Sequence, residues 1–351
     1  MNTFNSDAYM NYKKKYLIFG GTGSLGKVLT KKLLSLGHEV IVFSRDEAKH
    51  VIFRGLFPRV KTIIGDVRDF KAVARAIRDT IPNVVIFASA MKNVPEAEQF
   101  PMEAVKTNVI GTENVLEAAY DALFIANRGI YIEPIKILSI STDKATSPNT
   151  SYGFAKALQE RIHLNYNSDR LICNAVRYGN VLESRGSVIP FYKERIRENK
   201  SLPLTDERMT RFFMSLNQSV ELILDALLDN DGGKVFVPKV KSAHIKTLAE
   251  VMCDYFMVDK SKIELTGIRP GEKIHESLVS LEETFRTEDL GKNYVIHGVF
   301  TNKKFTDLIS QYSSDSCLMN HQELEAFLYQ HEVFTTVEHQ RIGAAEYGTY
   351  L

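Results

Sequence analysis

Between Lys15 and about Arg177, short apolar runs alternate with helical patterns, and this alternation leaves the chain few folds to choose from. The strand-like runs are YLIFG, EVIVF, VKTIIG, NVVIFA, IKILSI and ICNAVR; SLGKVLTKKLLSLG, DFKAVARAIRD and PMEAVKTNVIGTENVLEAAYDAL lie among them with helical spacing. Strands separated by helices are joined by right-handed crossovers, which builds a parallel sheet. Strands that are apolar on both faces are covered by helices on both sides. The expected class is α/β, a doubly wound parallel sheet. After Tyr178 the alternation weakens, and Gly, Pro and basic residues gather in GNVLESRGSVIP and LPLTDERMTRF. Helical stretches at Asn217–Leu228 and Thr247–Phe256 flank the strand-like KVFVP. We therefore expect a nucleotide-binding domain over 13–180 with part of 212–240. A smaller, interleaved α/β substrate domain with a C-terminal extension should take 181–211 and 241–351.

The glycine pattern gives the sheet a purpose. YLIF runs into GGTGSLG, so Gly20, Gly23 and Gly26 form GxxGxxG between the first strand and the first helix. A pyrophosphate can approach such a turn because no Cβ intervenes, and the helix start offers free N–H groups to the anion. Thr22, Ser24 and Leu25 complete that loop. The second strand ends in Ser44-Arg45. A carboxylate there would take the ribose diol of NAD; Ser44 has none, and Arg45 can pair with a 2′-phosphate. NADP is expected over NAD, with Asp46 only two residues on as the opposing signal. Asp66-Val67 after the third strand and Ala88 after the fourth are placed to meet the same cofactor. Lys92 in SAMKNVP faces the cofactor and substrate side.

Tyr152 and Lys156 form YxxxK on one face of a helix. An ammonium near a phenol favours the phenolate, so Tyr152 can serve as a base, and Lys156 can also hold the nicotinamide ribose. The fifth strand ends in ILSISTDKA, which puts Ser141, Thr142, Asp143 and Lys144 where open α/β sheets bind ligands. Simple carbonyl reduction needs a hydroxyl there, with Tyr and Lys. The extra carboxyl and ammonium suit further proton transfers, such as loss of an acidified C5 proton and protonation of a leaving 6-OH. On the substrate side, Asn180, Arg185, Arg211, Arg269 and Glu272 lie in Gly/Pro-rich loops and suit a diphosphate clamp with a ribose-binding carboxylate.

Other classes are poorly served. Lys and Arg number 44 against 43 Asp and Glu, a net +1, so there is no basic footprint for nucleic acid. Three distant cysteines, Cys173, Cys253 and Cys317, offer neither a disulfide framework nor a metal spacing, and no metal is expected. No apolar run approaches the ~20 residues of a membrane span, and the first residues lack a signal-peptide core. A cytoplasmic protein that meets its substrate in water is expected.

Together these motifs resemble a known family, the soluble UDP-N-acetylglucosamine 4,6-dehydratases within the extended short-chain dehydrogenase/reductases. The match is especially to the inverting (5-epimerising) enzymes that open pseudaminic acid biosynthesis. It runs over about residues 15–285, through GGTGSLG, FSRDE, GDVRD, STDKA, YGFAK, RYGNV, RGSVIP, LPLTDERMTRFFM and IRPGEKIHESLVS. The resemblance implies that Tyr152 deprotonates the 4-OH, Lys144 is the base at C5, and Asp143 is the acid for the 6-OH. Thr142 would contact sugar hydroxyls, Val188, Pro190 and Phe191 would lie near the nucleoside, and Arg211 and Arg269 near the diphosphate. It also implies a UDP-sugar substrate, NADP that is recycled in place, and a homo-oligomer. Phe19 stands where the family often has Thr, Tyr152 where many relatives have Met, and Ala90-Met91 where Ala-Leu is usual. A retaining dehydratase, a UDP-sugar 4-epimerase and a non-catalytic NADP-sensing regulator are the alternatives. The segment YSSDSCLMNHQELEAFLYQHE is expected to be a C-terminal lid or assembly element.

Overall fold

A computed structural model describes residues 13–126, 133–184, 186–301, 303, 305 and 309–335. Contacts divide the chain into two compact units. One comprises the chain up to Tyr178, Asn217–Lys239 and Val279–Gln311; the other comprises Gly179–Leu216, Val240–Leu278 and the chain from Tyr312 onward.

The first unit is built on a nine-stranded sheet. In chain order its strands are β1 (Lys15–Phe19), β2 (Glu39–Ser44), β3 (Lys61–Ile64), β4 (Val84–Phe87), β5 (Ile135–Thr142), β6 (Leu171–Tyr178), β7 (Lys234–Pro238), β8 (Thr287–Asp289) and β9 (Asn293–His297). The spatial order is β8-β9-β7-β6-β5-β4-β1-β2-β3. The seven strands from β7 to β3 pair parallel, whereas β9 pairs antiparallel with both β7 and β8. The order reverses between β1 and β4, which creates the crevice at the carboxyl ends where such sheets take ligands. The helices are α1 (Ser24–Ser35), α2 (Glu47–Leu56), α3 (Phe70–Thr80), α4 (Val94–Gln99), α5 (Pro101–Ala104), α6 (Gly111–Ala126), α7 (Ser151–Asn165) and α8 (Leu216–Leu228).

Local chemistry sets the helix boundaries. The Asp46 carboxylate accepts from Lys49 N, and that of Asp69 accepts from Lys71 N and Ala72 N, which satisfies amides that would otherwise be orphaned at the starts of α2 and α3. The strands are buried as their apolar composition requires. Leu17, Phe19, Ile41, Phe43, Val85 and Phe87 pack with Val73, Ile77, Leu116 and Ala119 from the covering helices. Each large side chain so buried contributes roughly 1.5–3 kcal/mol.

The second unit has its own core. Ser242–His244, Thr210–Met214 and Asn180–Val181 form a three-stranded sheet, and Ile263–Leu265 pairs with Leu202–Leu204. Helices Val188–Arg197, Ile245–Tyr255 and His321–Gln330 enclose Leu248, Met252, Leu324 and Leu328.

Two expectations need correcting. The sequence placed all of 241–351 in the second domain, but Val279–Gln311 belongs to the first unit. Its strands β8 and β9 run antiparallel on the far edge of the sheet, after the strand–helix rhythm has ended. The expected lid or assembly element is instead core. Helix His321–Gln330 starts with an Asn320/Glu323 capping box and buries Leu324 and Leu328 fully, while nearby Phe334 stacks on Tyr255 at 3.9 Å.

Candidate active site

The turn after β1 has room for an anion at its backbone. Gly20 has φ +79°, and a Cβ there would come within 2.7–2.8 Å of the Ala88–Ser89 backbone, so only glycine lets the turn pass so close to the end of β4. Thr22, Gly23 and the start of α1 at Ser24 and Leu25 follow at once, with Gly26 buried on its inner side. This cradle, which side chains would fill, fits a dinucleotide pyrophosphate.

Past the turn, the end of β2 carries a linked set of polar groups. Thr22 Oγ1 lies 2.9 Å from Ser44 Oγ, which lies 2.9 Å from His50 Nε2. The Arg45 guanidinium is exposed, 3.9 Å from the Asp66 carboxylate. Asp46, the opposing signal for NAD, is committed elsewhere: it caps α2 and pairs with Lys49 at 2.8 Å. Asp66 is also engaged, by the Arg68 guanidinium at 2.6 Å. Burial would raise its carboxyl, but the Arg68 contacts outweigh that and hold it low. Val67 beside it is buried. Ala88 is half-buried and Lys92 exposed in the loop after β4.

The chemistry concentrates at the end of β5. Asp143 is fully buried, and its Oδ1 accepts from both Thr142 Oγ1 at 2.9 Å and Lys144 Nζ at 3.0 Å. Lys144 keeps about a quarter of its side chain in solvent. A Cβ on Gly153 would meet the Lys144 carbonyl at 2.5 Å, so this glycine lets the first turn of α7, and Tyr152 with it, press against that loop. Burial pushes the Tyr152 phenol up to about 12, with Asp143 acting in the same direction; the Lys144 charge and a hydrogen bond with Thr142 pull it down. A phenol, an ammonium, a carboxyl and a hydroxyl thus act on one another within a single cluster.

Lys156 behaves differently from the expectation. It was expected to be the cation beside the phenol, but its Nζ donates to the Ile140 carbonyl at 2.8 Å and to Gln159 Oε1 at 2.9 Å. The cation that lowers Tyr152 is Lys144. A buried ammonium must find acceptors, and the nearest ones lie along β5 and one turn on in α7. Burial brings the Lys156 ammonium down to about 7.

The substrate-side residues lie in the second unit. Asn180 is in its three-stranded sheet, and Val188 and Pro190 are on helix Val188–Arg197. Arg211 is buried, with its guanidinium donating to the carbonyls of Thr210, Lys273 and Ile274 at 2.7–3.1 Å. It therefore braces the loop that carries Glu272. Arg269 is exposed, and its N–H donates to the Glu272 carboxylate at 3.1 Å, so Glu272 closes the turn of its own loop. Arg185 lies outside the described residues.

Sequence reasoning missed three residues near these groups. Asn108 is fully buried in a π-helical segment, Val105–Ile110; it accepts from Met91 N at 2.8 Å and donates to Met91 O at 3.0 Å, fixing the loop that carries Lys92. Gln159 holds Lys156, and His50 holds Ser44. Each is a polar residue on a helix face that the apolar periodicity marks as inward. That was the available signal.

The comparisons agree with this architecture. The family model described as polysaccharide biosynthesis protein matches residues 16–298. The UDP-N-acetylglucosamine 4,6-dehydratase (inverting) of Campylobacter jejuni is 38% identical over 310 residues, which cover 86% of this chain and 87% of that protein. A UDP-glucose 4-epimerase of Rickettsia rickettsii is 40% identical over 295 residues, covering 81% and 82%. The X-ray structure of Pen from Bacillus thuringiensis superposes with a TM-score of 0.80 at 32% identity, over 91% of this chain and 98% of that one. The chain belongs to the polysaccharide biosynthesis protein family and is an extended short-chain dehydrogenase/reductase.

Proposed function

We propose that the chain is an NADP-dependent UDP-N-acetylglucosamine 4,6-dehydratase that inverts C5. The observation that carries this is the buried Asp143 joined to Lys144 at 3.0 Å, both acting on Tyr152. Taking hydrogen from a 4-hydroxyl requires one base, for which Tyr152 suffices. Eliminating water across C5 and C6 requires a second base and an acid, and the pair supplies both. The Campylobacter jejuni relative carries that activity in its name.

Tyr152 accepts the 4-OH proton. With the proton that the pair shares resting on the Asp143 carboxyl, the neutral Lys144 amine removes the C5 proton that the 4-ketone has acidified. Asp143 delivers a proton to the departing 6-hydroxyl, and water leaves. Thr142 orients the sugar hydroxyls and keeps one Asp143 oxygen occupied. Reprotonation of C5 on the opposite face sets the inverted centre. When bound, the dinucleotide supplies a hydride acceptor for C4 and a hydride donor for C6, so it is recycled. Gly20 to Gly26, Ser44, Arg45, Asp66, Val67 and Ala88 would hold it, with Lys92 and Lys156 nearer the sugar. Asn180, Arg185, Val188, Pro190, Arg269 and Glu272 would receive the UDP moiety, with Arg211 bracing the loop that carries Glu272.

A UDP-sugar 4-epimerase is the second reading, favoured by the name of the Rickettsia relative. Proton NMR of the purified protein with UDP-N-acetylglucosamine in D₂O separates the two. A 6-methyl signal with deuterium at C5 is expected, and the ring couplings report the inversion. A C4 epimer that keeps its 6-hydroxymethyl group would overturn the dehydratase.

A further inference from the structure

The hydrogen-bond chain at the end of β2 has a direction, and one buried histidine sets it. His50 has no solvent exposure and sits on the inner face of α2. Its Nε2 lies 3.0 Å from the Ser44 carbonyl oxygen and 2.9 Å from Ser44 Oγ. A carbonyl oxygen only accepts, so Nε2 must carry the hydrogen and donate. The other ring nitrogen, Nδ1, is buried with no hydrogen-bond partner among the described residues. A hydrogen there would be buried without an acceptor, so the hydrogen is assigned to Nε2.

The consequence passes outward. Ser44 Oγ shares the one Nε2 hydrogen with the Ser44 carbonyl, which leaves its own hydrogen for Thr22 Oγ1 at 2.9 Å. The Thr22 hydroxyl hydrogen is then the one left to point into the glycine turn. Arg45, next along the chain from Ser44, has an exposed guanidinium 3.9 Å from the Asp66 carboxylate, while the Asp46 carboxylate caps α2. The Asp66 carboxylate is taken up by Arg68 at 2.6 Å, so the groups left at the adenosine end are donors. A ribose 2′-hydroxyl needs an acceptor for its hydrogen, whereas a 2′-phosphate accepts from every side.

We propose that His50 is a specificity-determining residue, orienting the His50→Ser44→Thr22 chain so that the site selects a 2′-phosphorylated adenosine. This rests on the NADP assignment above. His50 does not touch the cofactor; it acts through Ser44 and Thr22. Replacing it with a group that cannot donate frees the Ser44–Thr22 pair to reverse, which restores an acceptor for a ribose hydroxyl.

The test is calorimetric binding of NADP⁺ and NAD⁺, and of 2′,5′-ADP and AMP, to the wild type, His50→Leu and His50→Gln. Long-range ¹H–¹⁵N NMR of histidine-labelled apoprotein accompanies it, with the His50 signal assigned by its loss in His50→Gln. The Nε2–H tautomer is expected. In His50→Leu the wild-type preference for the 2′-phosphorylated ligand of each pair should fall about fivefold to tenfold, the scale of one hydrogen bond. His50→Gln restores a donor and should stay within about twofold of the wild type. An Nδ1–H tautomer, an unchanged preference in His50→Leu, or equal loss in both variants would overturn the proposal while leaving NADP as the cofactor. A wild type that prefers NAD⁺ and AMP would overturn the NADP assignment and this proposal with it.

Discussion

Two ionic clusters stand on neighbouring strands of the same sheet, Arg177 on β6 aligned with Ser141 of β5 and the Asp143–Lys144 pair just past the end of β5. Arg177 is buried, with its side chain 3% exposed, and binds Glu160 at 2.6 Å and Glu283 at 2.7 Å. Burial works against its charge, but the two carboxylates more than reverse that and raise it well above the ordinary arginine value. Asp143 is as deeply buried, yet its cation, Lys144, is 26% exposed, and the two act on Tyr152. A guanidinium held between two carboxylates in a dry site has fixed protonation, and it ties α7, β6 and the returning 279–311 segment together. Lys144 keeps part of its side chain in solvent, and with Asp143 it acts on the Tyr152 phenol. Similar ingredients thus serve as scaffold in one case and as chemistry in the other, and access decides which.

Substitutions on the two sides should therefore fail in different ways. Lys144→Ala should lower turnover about 10³-fold to 10⁴-fold, measured by product formation, with a smaller loss of stability than at Arg177 because one buried carboxylate rather than two loses its cation. Arg177→Met should do the reverse. Two buried carboxylates would lose their shared cation at a cost of about 3–5 kcal/mol in denaturant unfolding, with turnover per folded molecule largely kept. If Arg177→Met stopped turnover without loss of stability, the division between scaffold and chemistry would fail.

The scaffold cluster should also show in acid. Burial would raise Glu283, but Arg177 dominates and holds it at about 2, below its ordinary 4.5. A depressed carboxyl stabilises the fold fully above its unfolded value, and that contribution is lost as pH falls from 4.5 through 2. Melting curves over this window should fall more steeply for the wild type than for Glu283→Gln. Parallel curves would mean that the pair is not intact in solution. The smallest effect is expected at the far end of the crevice. Arg45→Glu should shift the ratio of NADP to NAD affinity towards NAD by about tenfold, read by calorimetry, because an exposed guanidinium is screened.

The sheet was legible because fully buried parallel strands must be apolar throughout and GxxGxxG admits few other settings. Tyr152, Asp143 and Lys144 were legible because strand end and helix start bring sequence neighbours together. Lys156 was placed on the correct helix but given the wrong partner, since an i,i+4 spacing fixes a face and says nothing of which carbonyl a long side chain will reach. Arg177 with Glu160 and Glu283 was invisible, because partners 17 and 106 positions away leave no local pattern. Strands β8 and β9 were missed for a related reason: they join the sheet antiparallel, without the helices that announce the others. Arg211 was read as a substrate clamp, yet three backbone carbonyls already occupy its guanidinium.

Single turnover by Lys144→Ala tests the central claim most directly. The variant, loaded with NADP⁺ and mixed with UDP-N-acetylglucosamine, is followed at 340 nm with the sugar analysed by NMR. Tyr152 should still drive oxidation at C4, so reduced cofactor should accumulate towards one equivalent while the sugar keeps its 6-hydroxyl. Formation of the 6-methyl product at the wild-type rate would contradict the account.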